Sequence, residues 1–264
     1  MDVLRPRSLE QALHMRAERS DALAIRGGTD VMVELNFDRA RPSAMLDLSE
    51  VGELGGWSRE NGTLRIGAGI TYTEVVRGEL AGELPALAEA SRTVGSPQIR
   101  NRGTIGGNLG TASPAGDALP PLLVAEAEVE LASVRGVRRL SVAEFLLGPK
   151  RSALAEDELI TAVLVPRTEA AQTFLKVGPR NAMVIAVCSL AVLVDVERGE
   201  VRASFGSAGP VPGLVRVPLA EAGELAEAVM SACSPIDDVR GTAAYRRHAL
   251  GVLAQRGLER CLAA

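Results

Sequence analysis

Two glycine pairs carry most of the chemistry that can be read from this sequence: RGGTD at 26–30 and TIGGN at 104–108. Backbone without a Cβ lets a ligand come close to the main chain, and successive N–H groups can form an anion-binding nest. The first pair opens a predicted helix, whose N-terminus would add its dipole. Two nests from separate parts of the chain suit a ligand with two linked phosphates. Around them, Thr29, Thr104, Asn108 and Thr111 offer hydroxyl and amide hydrogen bonds. Asp117, an acceptor when ionised, suits sugar or ribityl hydroxyls rather than phosphate. Each pair taken alone is more often just a tight turn.

The rest of the chain offers little other chemistry. Cys188, Cys233 and Cys261 have no C-x-x-C spacing, which excludes a cysteine-bound iron–sulfur cluster or zinc ribbon held by this chain alone. His14 and His248 fall on predicted helices as surface residues, and no acid–base pair or nucleophilic triad is visible. The expected metal and catalytic residues are therefore none. A net charge of −4 argues against nucleic acid or an anionic membrane as partner. The opening MDVLRPRSLEQ has no apolar h-region, and the longest apolar run, 184–194, is too short to span a bilayer. A cytoplasmic protein without a transmembrane segment is expected. Lysine occurs only at Lys150 and Lys176, which makes each of interest.

The elements that must position the glycine pairs fall into three parts. Residues 1–55 read as a small α/β unit: Ser8 caps a helix with Leu9, Ala12 and Leu13 on one face, strand 23–26 runs into the first glycine pair, helix 29–36 follows, then a strand near 45–48. Residues 56–166 read as α+β. A glycine-bounded strand in GTLRIGAGIT precedes a helical stretch, 72–94. RNRGTIGGNLGTASPAGD, 100–117, is then read as a glycine-rich loop. A short helix and strand, a further strand and helix, and a strand ended by Pro166 complete this part. In 167–264, TFLKVG, VIAVCSLAVLVDVE and EVRASFGSAG predict a three-stranded antiparallel sheet, followed by helices near 219–232 and 241–262. Strand–Gly-Gly–helix lacks the G-x-G-x-x-G spacing, which disfavours a dinucleotide-binding Rossmann fold.

IRGGTDVMVEL, VGSPQIRNRGTIGGNLGTASPAGDALPPLLV, DELITAVLVP and KVGPRNAMVIAVCSLAV, in this order, resemble the FAD-binding subunit of the molybdenum hydroxylases. This family includes the flavin subunits of carbon monoxide and nicotinate dehydrogenases and the middle region of xanthine dehydrogenase. YRRHALGVLAQRGLER resembles its C-terminal helix, so the likeness spans nearly the whole chain. It implies an α+β protein in which a two-subdomain FAD-binding fold of the PCMH type is followed by a C-terminal α+β domain covering the flavin. By the resemblance, Arg26, Gly27, Gly28, Thr29 and Asp30 match the first diphosphate loop, with Ala24 and Ile25 on the strand leading in. Thr104, Ile105, Gly106, Gly107 and Asn108 match the second loop. Gly95, Thr111 and Asp117 match further FAD-contacting positions, Leu159 and Ile160 an apolar pair near flavin or adenine, and Lys176 a cofactor-contacting lysine. Many relatives carry an acid shortly after the motif arginine, counted here from Arg180. This chain has Met183 and Val184 instead, so Arg180 can be structural. Tyr72 and Phe174 are expected in the core or at its rim rather than on the flavin.

The resemblance further implies a large molybdenum-cofactor subunit that hydroxylates substrate and a small subunit with two [2Fe–2S] clusters. FAD in this chain would take their electrons and pass them to an external acceptor. A stand-alone flavin oxidoreductase and a flavin-free assembly subunit of the same fold are the alternatives.

Overall fold

The computed structural model describes residues 1–180 and 183–263. The quoted stretch KVGPRNAMVIAVCSLAV thus includes two residues, 181 and 182, outside the described set.

The N-terminal part contains β1 (Asp2–Leu4), α1 (Leu9–Glu18), β2 (Leu23–Ile25), α2 (Val31–Asn36) and β3 (Ala44–Asp47). The strands form a parallel sheet in the order β1-β3-β2. The Ser8 side chain accepts from the Gln11 amide at 3.2 Å, satisfying one of the orphan donors that start α1. Ala12 of α1 is fully buried and packs with Leu46, Val51 and Leu54.

The middle part contains β4 (Trp57–Glu60), β5 (Thr63–Gly67), α3 (Tyr72–Val76), α4 (Leu80–Glu83), α5 (Pro85–Thr93), α6 (Pro97–Arg100), α7 (Ile105–Thr111) and α8 (Leu119–Val124). It continues with β6 (Glu128–Ser133), β7 (Gly136–Ser141), α9 (Val142–Phe145), β8 (Leu146–Gly148), β9 (Arg151–Ser152) and β10 (Leu159–Pro166). Five strands form a sheet, β4-β5-β10-β6-β7, antiparallel throughout, and β8 pairs with β9. β10 lies at its centre, so Val163 faces Ile66 on one side and Val129 on the other.

A register shift between Ile160 and Ala162 leaves Thr161 as a bulge, a device that re-aims strand groups. The Thr161 carbonyl accepts from the Ala68 amide at 3.0 Å, which fixes the turn after β5.

The C-terminal part contains β11 (Ala171–Val177), β12 (Cys188–Asp195), β13 (Glu200–Gly206), β14 (Gly213–Pro218), α10 (Leu225–Ala232) and α11 (Ala243–Leu262). The antiparallel sheet has four strands rather than the expected three. β14 is bracketed by prolines and only partly buried, which hid it from the apolar pattern. The sheet holds α10 and α11 on one face. Gly257 makes the close approach of α11 possible: a Cβ there would lie 2.6 Å from Val192. The other face receives α5 and α8, with Ala86, Ala90, Val124, Phe174, Ala191 and Leu193 packed together. Phe174 and Tyr72 are both core residues, 5 % and 4 % exposed.

The second correction concerns 100–117. Residues 105–111 form helix α7, not a loop. Its N-cap, Thr104, accepts from the Gly107 amide at 3.0 Å, a bond that helps offset the entropy glycine loses in a helix.

Candidate cofactor site

β2 delivers Ala24 and Ile25 to the base of the first glycine turn. Gly28 has φ +76°, a left-handed conformation that favours glycine. The amides of Gly27, Gly28, Thr29, Asp30 and Val31 donate to no acceptor among the described residues. Five consecutive uncommitted donors in a half-exposed turn can hold an anion. Arg26 has a different job from the one its place in the motif suggests. Its guanidinium, half-buried beneath the turn, donates to the carbonyls of Gly69 at 3.3 Å, Val51 at 3.2 Å and Leu48. Burial pulls its pKa below the usual arginine value, with Glu74 opposing that shift. A Cβ on Gly69 would overlap the Arg26 Nε at 2.1 Å, so this contact requires glycine.

The second turn is built differently. Ile105 N–H donates to Ile70 O, Gly106 N–H to Ala68 O, Gly107 N–H to the Thr104 hydroxyl and Asn108 N–H to Thr104 O. All four amides are committed, so TIGGN is not a second open nest. Gly106 is a packing glycine, because its Cβ would meet Ala68 O at 2.6 Å. Gly107 is exposed, and a Cβ there would meet only the Thr104 hydroxyl, at 3.0 Å.

The two turns lie against each other. A Cβ on Gly27 would fall 2.1 Å from the Arg102 carbonyl and 3.2 Å from the Gly103 Cα. The Arg102 guanidinium donates to the Arg26 carbonyl at 3.2 Å, and the Thr111 hydroxyl donates to Asp30 at 3.0 Å. Lys150 adds a 2.7 Å ion pair to Glu34 of α2.

Asp117 and Lys176 close the far side. Their side chains, 8 % and 7 % exposed, pair at 2.5 Å, and Thr93 donates to the same carboxylate at 3.4 Å. Burial pushes the Asp117 carboxyl above its usual range, with Lys176 opposing that shift. The other carboxylate oxygen, Oδ1, is buried without a partner, and so is Asn108 Oδ1. Buried acceptors of this kind are ordinarily satisfied, so both fit hydroxyl or amide donors supplied by a ligand. Gly95, φ +43°, forms the turn between α5 and α6, where Arg100 donates to its carbonyl at 2.9 Å.

The side chains of Leu159 and Ile160 have different surroundings. Leu159 is 2 % exposed in the core of the N-terminal part, whereas Ile160 lies 3.6 Å from the position of a Gly110 Cβ on α7. Alternation along β10 sends the two side chains in opposite directions. Thr93 and Arg102, which sequence reasoning does not single out, stand beside these groups through their bonds to Asp117 and to the Arg26 carbonyl. Arg102 stood inside the quoted motif, while nothing in the sequence marked Thr93.

Other groups lie outside this chemistry. His14 and His248 are exposed. Burial pushes the Cys188 and Cys261 thiols up to about 12 and raises Cys233, so none is a ready nucleophile. Arg180 donates to the Met183 carbonyl at 3.2 Å, a local main-chain contact. No cluster of three potential metal ligands occurs among the described residues.

Residues 1–168 match the family described as the FAD binding domain in molybdopterin dehydrogenase. The nicotinate dehydrogenase FAD-subunit of Eubacterium barkeri is 37% identical over 201 residues, covering 73% of this chain and 68% of that protein. This chain belongs to the FAD-binding subunits of the molybdenum hydroxylases. The carbon monoxide dehydrogenase medium chain of Afipia carboxidovorans is 30% identical, covering 99% of this chain and 96% of that one. Carbon monoxide dehydrogenase from Hydrogenophaga pseudoflava contains a chain that superimposes with a TM-score of 0.91 at 26% identity, covering 100% of this chain and 97% of that one. The protein is accordingly the flavin subunit of an oxidoreductase, with FAD as its cofactor. Among the described residues, no helix is long and apolar enough to cross a membrane.

Proposed function

We propose that this subunit binds FAD across its two glycine turns and carries electrons from the [2Fe–2S] clusters of a small partner subunit to an external acceptor. A large partner subunit would hold the molybdenum cofactor and the substrate. Residues 1–55 and 56–166 would be the two halves of the flavin site, and 167–264 its cover. When bound, the FAD supplies the redox-active ring. The chain's own residues bind and orient.

Amides 27–31 take the diphosphate, aided by the Thr104 hydroxyl, whose hydrogen is not used in capping Gly107. Asn108 Oδ1 and Asp117 Oδ1 accept from the ligand's hydroxyl or amide groups. Lys176 keeps the Asp117 carboxylate placed. The observation that carries this reading is the direct packing of the first turn, with its uncommitted amides, on the segment that starts α7.

Gly107→Val tests the site, because it puts a branched side chain on an exposed surface that the FAD should cover. The purified variant is expected to lose its flavin while keeping the thermal midpoint of flavin-free wild type. Full flavin occupancy in a folded Gly107→Val protein would refute the placement.

A further inference from the structure

The junction of the two turns brings together two arginines, Arg26 and Arg102, that make no ion pair among the described residues. Many arginines of this protein are matched with acids, such as Arg138 with Glu158, Arg65 and Arg139 with Glu130, and Arg198 and Arg202 with Glu126, while others, such as Arg100 and Arg247, bond only to carbonyls. Arg26 and Arg102 likewise make hydrogen bonds only to carbonyl oxygens. Two acids act on Arg26 through space and neither bonds to it: Glu74 is committed to the Thr71 capping box that starts α3, and Asp47 accepts from the Ser49 amide at 3.0 Å. Arg102 is exposed and spends one N–H on the Arg26 carbonyl at 3.2 Å, which leaves most of its five donors free. That carbonyl is the root of the turn whose next five amides are uncommitted. Like charges held together repel, and a net charge of −4 shows that acids are not scarce. Such an arrangement is stable when an anion sits between the charges.

We propose that Arg102 is a direct ligand of the diphosphate, reaching from the second segment to the anion seated on amides 27–31. Arg26 lies under the same turn as a second, non-contacting charge. This inference rests on the FAD reading and deepens it. The second segment contributes a guanidinium where its own glycine amides are already committed. A planar fork of donors matches two phosphate oxygens in a way one amide cannot.

The test titrates flavin-free full-length protein with FAD and, separately, with ADP, which carries the diphosphate without the flavin. Wild type, Arg102→Gln and Arg102→Lys are compared at about 0.05 M and about 0.3 M salt, where screening lengths differ more than twofold. Arg102→Gln is expected to weaken both ligands about 10–100-fold at low salt, the effect of losing one charge-assisted pair. Its salt dependence should also be flatter than that of wild type. Arg102→Lys should keep the salt dependence and most of the affinity.

Equal binding by wild type and Arg102→Gln at both salts would overturn the proposal while leaving FAD binding intact. A loss that is the same at both salts, or shared fully by Arg102→Lys, would show a structural effect and overturn the charge role. Failure of wild type to bind FAD would instead sink the functional reading itself. Should Arg102→Gln misfold, Arg102→Lys and the wild-type salt dependence decide: salt-independent binding by both overturns the proposal.

Discussion

The two glycine turns look alike as strings and behave oppositely as structures. Around Gly27-Gly28 the main chain leaves five donors open, and its carbonyls and guanidinium are what tie it to neighbours. Around Gly106-Gly107 every first-turn amide is spent, and the glycines serve contact instead. A glycine pair can thus mark an anion nest or a close approach of backbones. Only the hydrogen-bond inventory distinguishes them.

The largest effect expected from breaking this contrast is at Gly27. Gly27→Val would drive a side chain into the Arg102 carbonyl and should cost about 3 kcal/mol, in the upper range for overpacking. Thermal unfolding of the ligand-free protein would fall by about 5 °C, and FAD would be lost with it.

Gly106→Ala comes next. Its methyl would press on Ala68, costing about 2 kcal/mol of ligand-free stability. This effect should be visible by thermal melting with or without FAD, unlike that of its neighbour Gly107.

Thr104→Val removes the acceptor that commits the Gly107 amide. Loss of this cap should cost about 1 kcal/mol in denaturant titrations and weaken FAD as well, since the hydroxyl serves both.

The smallest effect concerns pH. Burial holds the Asp117 carboxyl above its usual range, so the folded state binds its proton more tightly than the unfolded chain does. Its contribution is therefore fully present below the unfolded pKa, about 4, and is lost as pH rises through the folded value. Asp117→Asn should remove that downward slope from the stability of the ligand-free protein. The change in slope is the measurement, because the offset also contains the unpaired Lys176.

Much of this was legible in the sequence. The Ser8 cap, the strand leading into Gly27, β10 ending at Pro166 and the long C-terminal helix all follow from local pattern. The order and identity of the glycine turns pointed to the cofactor. The misses have physical reasons. α7 is composed of IGGNLGT, a poor helix by propensity, and forms because the Thr104 cap and packing on Ala68 override that preference. The Leu159 and Ile160 side chains diverge because strand alternation outranks proximity in sequence. β1, β4 and β14 are short, half-exposed strands with little apolar signal. The Asp117–Lys176 pair joins residues 59 positions apart, which no local pattern reveals.

Amide hydrogen exchange with and without FAD addresses the contrast most directly. Amides 27–31 should exchange quickly in the ligand-free protein and become protected when FAD is added. Amides 105–108 should be protected in both states. Fast exchange at 105–108 that FAD suppresses, with no change at 27–31, would contradict the account.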